Sequence, residues 1–245
     1  GTSDYIKNPT TDNYSFYARL IVFSDTGYTT QVDYGGLASS TAQQVDILAK
    51  VQEILNFSVG VAPEPRIGAA CTPINDATSS LSLGDNNSVL STLQAYDGHS
   101  YFRVNTNTVN GTKVYYSGDT LTSGAANIDP IAPVGGPLGQ SSAPGTEQFG
   151  LAIDQDDIDP GGGSNNDGYS FTDLTKTAPY AQGHGTIVNA GTAKFAFETS
   201  SMTVPKEVAS STGGIGCDTG SVRYIANVST STAAGIYRTT LTFIA

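Results

Sequence analysis

The stretch from Asp154 to Gly168 (DQDDIDPGGGSNNDG) gathers five carboxylates and several carboxamides on a glycine-rich backbone. Calcium takes about six to eight such hard oxygens at about 2.3–2.6 Å. Asp154, Asp156, Asp157, Asp159 and Asp167 are therefore the candidate ligands of a structural Ca²⁺, the one cofactor the chain suggests. The spacing is not that of an EF-hand, whose ordered D-x-D-x-D-G loop closes on a glutamate. The same residues also read as a solvated acidic loop.

Other chemistry finds little local support. His99 and His184 are the only histidines, each beside glycine, and neither has a second histidine or a cysteine at metal-ligand spacing. Serines are too numerous for any one to stand out as a nucleophile. Glu64, Glu147, Glu198 and Glu207 form no local pair of the kind glycoside hydrolysis needs. No catalytic residue is assigned, and the chain reads as a non-enzyme; a sandwich hydrolase would have to depend on the two histidines. A glycan is a conceivable ligand, since 13 tyrosines accompany an acidic, Gly- and Asn-rich sequence. Tryptophan, the aromatic with the largest stacking face, is absent, and tyrosine also serves as an ordinary strand residue. Asn13, Asn56, Asn86, Asn110 and Asn227 each head an Asn-X-Ser/Thr sequon, which permits glycosylation without requiring it.

Charge removes two classes of partner. A formal net charge of −11 with Lys and Arg scattered singly would repel nucleic-acid phosphates and anionic lipid. No apolar run approaches the ~20 residues that span a bilayer, so membrane insertion is not expected of the mature form. The start at Gly1 without Met reads as a processed, exported chain. In an oxidising, extracellular setting the two cysteines, Cys71 and Cys217, are expected to pair. Two separate buried thiols are the alternative.

The elements that must carry these residues are strands. Residues 1–13 are polar and read as an extended arm; from Tyr14 the period becomes two. Tyr14, Phe16, Ala18, Leu20 and Val22 fall on one face, and Tyr17, Ile21 and Phe23 on the other. A strand apolar on both faces is expected to be buried on both sides or inserted into a groove, which makes residues 1–23 a candidate donor strand. Asp33 to Thr41 reads as a turn. Val45, Ile47, Ala49, Val51, Leu55, Phe57 and Val59 predict a long strand bent by a bulge near Glu53-Ile54. The Asn110-Gly111 pair predicts a hairpin joining Tyr101–Val104 to Lys113–Tyr116. Ser117 to Thr146 is a long Gly/Pro-rich loop, expected to be functional or to lie between subunits. Short strands resume at Glu147–Ile153, Gly185–Val188 and Thr192–Glu198. At the end, Ser221–Val228 and Ile236–Ala245 predict a closing hairpin. The expected architecture is all-β, an Ig-like or jelly-roll β-sandwich over residues 24–245 with an extended N-terminal arm and strand.

The segment Thr232-Ala233-Ala234-Gly235-Ile236-Tyr237-Arg238-Thr239-Thr240-Leu241-Thr242-Phe243 resembles the closing hairpin of secreted bacterial and archaeal β-sandwich surface proteins, including pilus-like filament subunits. Val45 to Gly60 (VDILAKVQEILNFSVG) and Cys217 to Tyr224 (CDTGSVRY) are similar to such proteins as well. The resemblance implies an exported, cell-surface sandwich that polymerises with copies of itself by donor-strand complementation, and it brings no catalytic residues. The competing expectation is a monomeric adhesin or carbohydrate-binding module using the Ser117–Thr146 and acidic loops.

Overall fold

The computed structural model describes residues 10–43, 45–61, 71–74, 79–85, 88–134, 138–154, 171, 173–187 and 191–245. The fold is all-β. In chain order the strands are β1 (Ser15–Phe23), β2 (Gln31–Ser40), β3 (Leu55–Gly60), β4 (Tyr96–Thr106), β5 (Lys113–Ser117), β6 (Thr122–Ser123), β7 (Ala126–Asn127), β8 (Gln148–Asp154), β9 (Thr175–Lys176), β10 (Lys206–Ser210), β11 (Ile215–Asn227) and β12 (Thr242–Ile244). The one helical element among the described residues is a 3₁₀ turn, Thr199–Met202. The chain divides into two compact units, Gly1–Val51 and Gln52–Ala245. The boundary expected after residue 23 falls inside the first of them.

The larger unit is a sandwich of two four-stranded antiparallel sheets, ordered β3-β4-β11-β8 and β12-β5-β10-β9. Alternation explains the core. Phe102 and Val104 of β4, Leu151 and Ile153 of β8 and Val222 and Tyr224 of β11 project from one sheet. They meet Val114 and Tyr116 of β5 and Val208 of β10 from the other. Gly220, in the middle of β11, lets the Phe102 ring lie against the strand, because a Cβ there would come within 2.5 Å of that ring.

Both predicted hairpins of this unit prove to be crossings between the sheets. The chain does turn at Asn110-Gly111, where Gly111 has φ +72° and donates its N–H to Thr108 O. Yet β4 and β5 then lie in opposite sheets, so Phe102/Val104 and Val114/Tyr116 meet across the core and not along a ladder. Likewise β11 is central in one sheet while β12 pairs β5 at the edge of the other. The Ser117–Thr146 segment is no free loop: Ile128 and Ile131 are buried, and Ile131 N–H and Phe149 N–H bond across to β8 and back. That contact satisfies part of the outer edge of β8. The predicted strand at Gly185–Val188 does not form in its described part, residues 185–187.

The smaller unit is a two-stranded hairpin, β1 against β2, in register from Ser15↔Ser40 to Val22↔Asp33. Its reversal lies at Ser24–Thr30, not at Asp33–Thr41, which is mostly strand β2. Asp25 makes the turn: its carboxylate accepts the backbone N–H of Thr29 at 3.0 Å and of Thr30 at 2.6 Å. Those amides, Thr29 first, hold its carboxyl down at about 2. The long strand expected over Val45–Val59 is cut to Leu55–Gly60; residues 45–54 show no ladder and their apolar side chains are exposed.

Candidate assembly surface and a buried histidine–carboxylate cluster

The β1–β2 hairpin presents apolar side chains on both of its faces because directly opposed residues share a face. Phe16, Ala18, Leu20 and Val22 lie with Leu37 on one; Tyr17, Ile21 and Phe23 lie with Tyr34 and Ala38 on the other. Leu20 is 70% exposed, Tyr17 81% and Leu37 64%, with Tyr14 and Val22 also exposed. The Arg19 guanidinium lies 5.3 Å from the centre of the Tyr34 ring. Around Gly35 and Gly36 the ribbon has a hollow of about 380 Å³ walled by Tyr17, Arg19, Tyr34 and Leu37. Among the described residues each strand pairs along one side only, leaving a row of backbone donors and acceptors on the other, which is the template that strand addition uses.

In the larger unit the polar side chains converge on Asp154. This residue ends β8 and is 98% buried, being 2% exposed. Strand register builds its surroundings: Asp154 lies opposite Ser221 of β11, and the next pair along places Arg223 opposite His99 of β4. His99 Nε2 is 3.4 Å from Asp154 Oδ2, and His184 Nδ1 is 3.4 Å from Oδ1. Arg223 reaches Asp154 Oδ2 at 3.4 Å, but its shorter bonds go to Asp97 Oδ2 at 2.7 Å and to the carbonyls of Gly183 and Gly185 at 3.0 and 2.8 Å. Asp154 Oδ1 and Ser221 Oγ are wholly buried without a hydrogen-bond partner.

The two histidines, unrelated by sequence spacing, thus meet at one carboxylate. Arg223 and Asp97 belong to the same cluster and carried no sequence signal, because their proximity comes from the register of β4 against β11 and not from any local motif. Of the five expected calcium ligands, Asp154 faces Arg223 and the two histidines here, and Asp156, Asp157, Asp159 and Asp167 lie outside the described residues. Among the described residues no three His, Cys, Asp or Glu side chains stand already arranged around a metal position.

Cys71 and Cys217 form a disulfide, with Cα atoms 5.5 Å apart. Beside it is a hollow of about 200 Å³ bordered by Leu55, Phe57, Thr72 and Arg103, below the about 300–1,000 Å³ of ordinary small-molecule sites. Asn227, one of the sequon asparagines, is fully buried and donates its amide to Ser142 Oγ and Gln148 Oε1, so the folded chain does not offer it for glycosylation. No helix among the described residues is long and apolar enough to cross a membrane. No family model, curated protein or solved structure matches the chain.

Proposed function

We propose that the chain is a non-enzymatic structural subunit of an extracellular filament, joined head to tail by β-strand addition. The N-terminal hairpin supplies the added strand, with Tyr14, Phe16, Ala18, Leu20 and Val22 as anchors, and the receiving site is a sheet edge of the next copy. One observation carries the reading: a two-stranded ribbon with exposed apolar side chains on both faces. Such a ribbon is marginally stable in water at best, so its residues gain from a partner's surface. A head-to-tail contact that does not close generates a fibre. The disulfide fits an oxidising, extracellular setting.

Negative-stain electron microscopy of the full chain beside a chain lacking residues 1–51 tests this. Filaments from the full chain and discrete particles from the shortened one are expected. Equal filaments from both overturn the role of the hairpin, and discrete particles from both favour the binding-module reading. A chelator added to the same samples tests whether the acidic loop's calcium supports assembly, through loss of filaments.

A further inference from the structure

We infer that Asp154, His99 and His184 form a binding site for a divalent transition-metal ion of the zinc class. The argument starts from economy: a chain of 245 residues holds two histidines, and both approach the same buried carboxylate, one at each oxygen. Imidazole nitrogen and carboxylate oxygen are the donors zinc takes, at about 2.0–2.2 Å. In a tetrahedral site with bonds of that length, neighbouring donor atoms stand about 3.3–3.5 Å apart. Each histidine nitrogen stands 3.4 Å from a different Asp154 oxygen, close to that edge and beyond the about 2.7–3.2 Å of a good N–H···O bond, though Arg223 lies at the same distance from Oδ2.

The second observation is Asp154 Oδ1. A carboxylate oxygen buried to this degree without a hydrogen bond is costly; its polar neighbour, His184 Nδ1 at 3.4 Å, lies beyond good hydrogen-bonding distance, and a cation held between them would satisfy both. Calcium is disfavoured at this position because its ligands are oxygens, not imidazole nitrogens. Charge permits a dication: Asp97, Asp154 and Arg223 together carry one net negative charge when both histidines are neutral. Arg223 is held back by Asp97 and the two glycine carbonyls, its contact with Asp154 being its longest.

The two histidines flank the carboxylate, and the three side chains do not meet at a common point in this structure. His184 is the more exposed of the two histidines. Its side chain is 45% exposed, and it stands between Gly183 and Gly185, the latter at φ +106°. Ser221 Oγ, buried opposite Asp154 and also unpartnered, is placed as a neighbouring polar group.

The test is zinc chloride titrated into the untagged full chain by calorimetry, with thermal melts alongside. Saturable binding of one Zn²⁺ per chain and an upward shift of the melting midpoint are expected, both lost in His99→Ala, in His184→Ala and in Asp154→Asn. Because His184 is half-exposed, H184A should fold as the parent does, so loss of zinc there cannot be read as unfolding. Absence of binding by the parent, or zinc binding retained by the H99A/H184A double variant, overturns the inference. So does a calcium response that needs Asp154 but neither histidine.

Discussion

At the scale of single residues the sandwich core is held by hydroxyls as well as by apolar packing. Tyr180 donates to Glu198 Oε1 at 3.0 Å, so its bond to Tyr116, 2.9 Å away, must be accepted from the Tyr116 hydroxyl. The Tyr116 oxygen in turn accepts Glu198 N–H. Tyr180→Phe removes the middle of this chain and leaves the buried Tyr116 hydroxyl and the partly exposed Glu198 carboxylate each short of a bond, which should cost about 1–3 kcal/mol in urea denaturation at neutral pH. Burial pushes the Tyr116 phenol up to about 12, and burial raises Tyr180 and Tyr224 as well. The sign follows: from near pH 10, where an unfolded tyrosine starts to ionise, the unfolded chain sheds protons that the folded chain keeps. Their contribution is complete below pH 10 and falls as pH climbs toward 12. The urea midpoint of the parent should decline steeply over that range and that of Tyr180→Phe less so; parallel declines would remove the tyrosine account.

At the scale of elements, the proposed assembly assigns the hairpin's apolar faces to contact between copies and not to the folding of the larger unit. Leu20→Asp places a charge on an exposed face, so it should abolish filaments in electron micrographs and leave the melting midpoint of residues 52–245 unchanged. A variant that polymerises normally would move the contact elsewhere. The comparison of pattern with structure is instructive at this scale. Alternation located β1, β4, β8 and the body of β11; in β4, β8 and β11 the apolar positions are buried in the core, whereas β1, expected to be buried on both sides, has no fully buried residue. It failed over Val45–Ile54, where the same period is present but no strand lies alongside. A period of two marks which residues could share a face; a ladder also needs a partner. The two hairpin errors have a related cause. Asn110-Gly111 dictates that the chain turns, and nothing in the turn says whether the next strand rejoins the same sheet or crosses to the other. The turn expected over Asp33–Thr41 forms instead at Ser24–Thr30, where the Asp25 carboxylate accepts two backbone amides and closes the reversal. The Asp154 cluster was legible only as its separate parts. His99 is 55 positions from Asp154, and their meeting depends on β11 lying between β4 and β8.

At the scale of the whole molecule, the disulfide is the longest-range constraint described. It joins residues 146 positions apart, both within the larger unit, and fastens the segment before β4 to β11, the central strand that pairs with β4 and β8. In the chain-entropy account a closed loop of that length restricts the unfolded ensemble by about 5 kcal/mol, an upper figure since native strain and residual structure reduce it. Spread over a unit of this size, that corresponds to about 10 °C or more in melting midpoint. Reduction with a phosphine under native conditions should therefore lower the calorimetric midpoint of the larger unit by about that amount. The hairpin contains no cysteine, so reduction below the new midpoint should leave filament formation intact if assembly runs through β1 and β2. Filaments lost on reduction of a still-folded chain would instead put the receiving edge beside the disulfide, at β3, where Leu55 and Phe57 border the hollow next to Cys71. An unchanged midpoint would mean that the two sheets and their shared core set the stability without the cross-link.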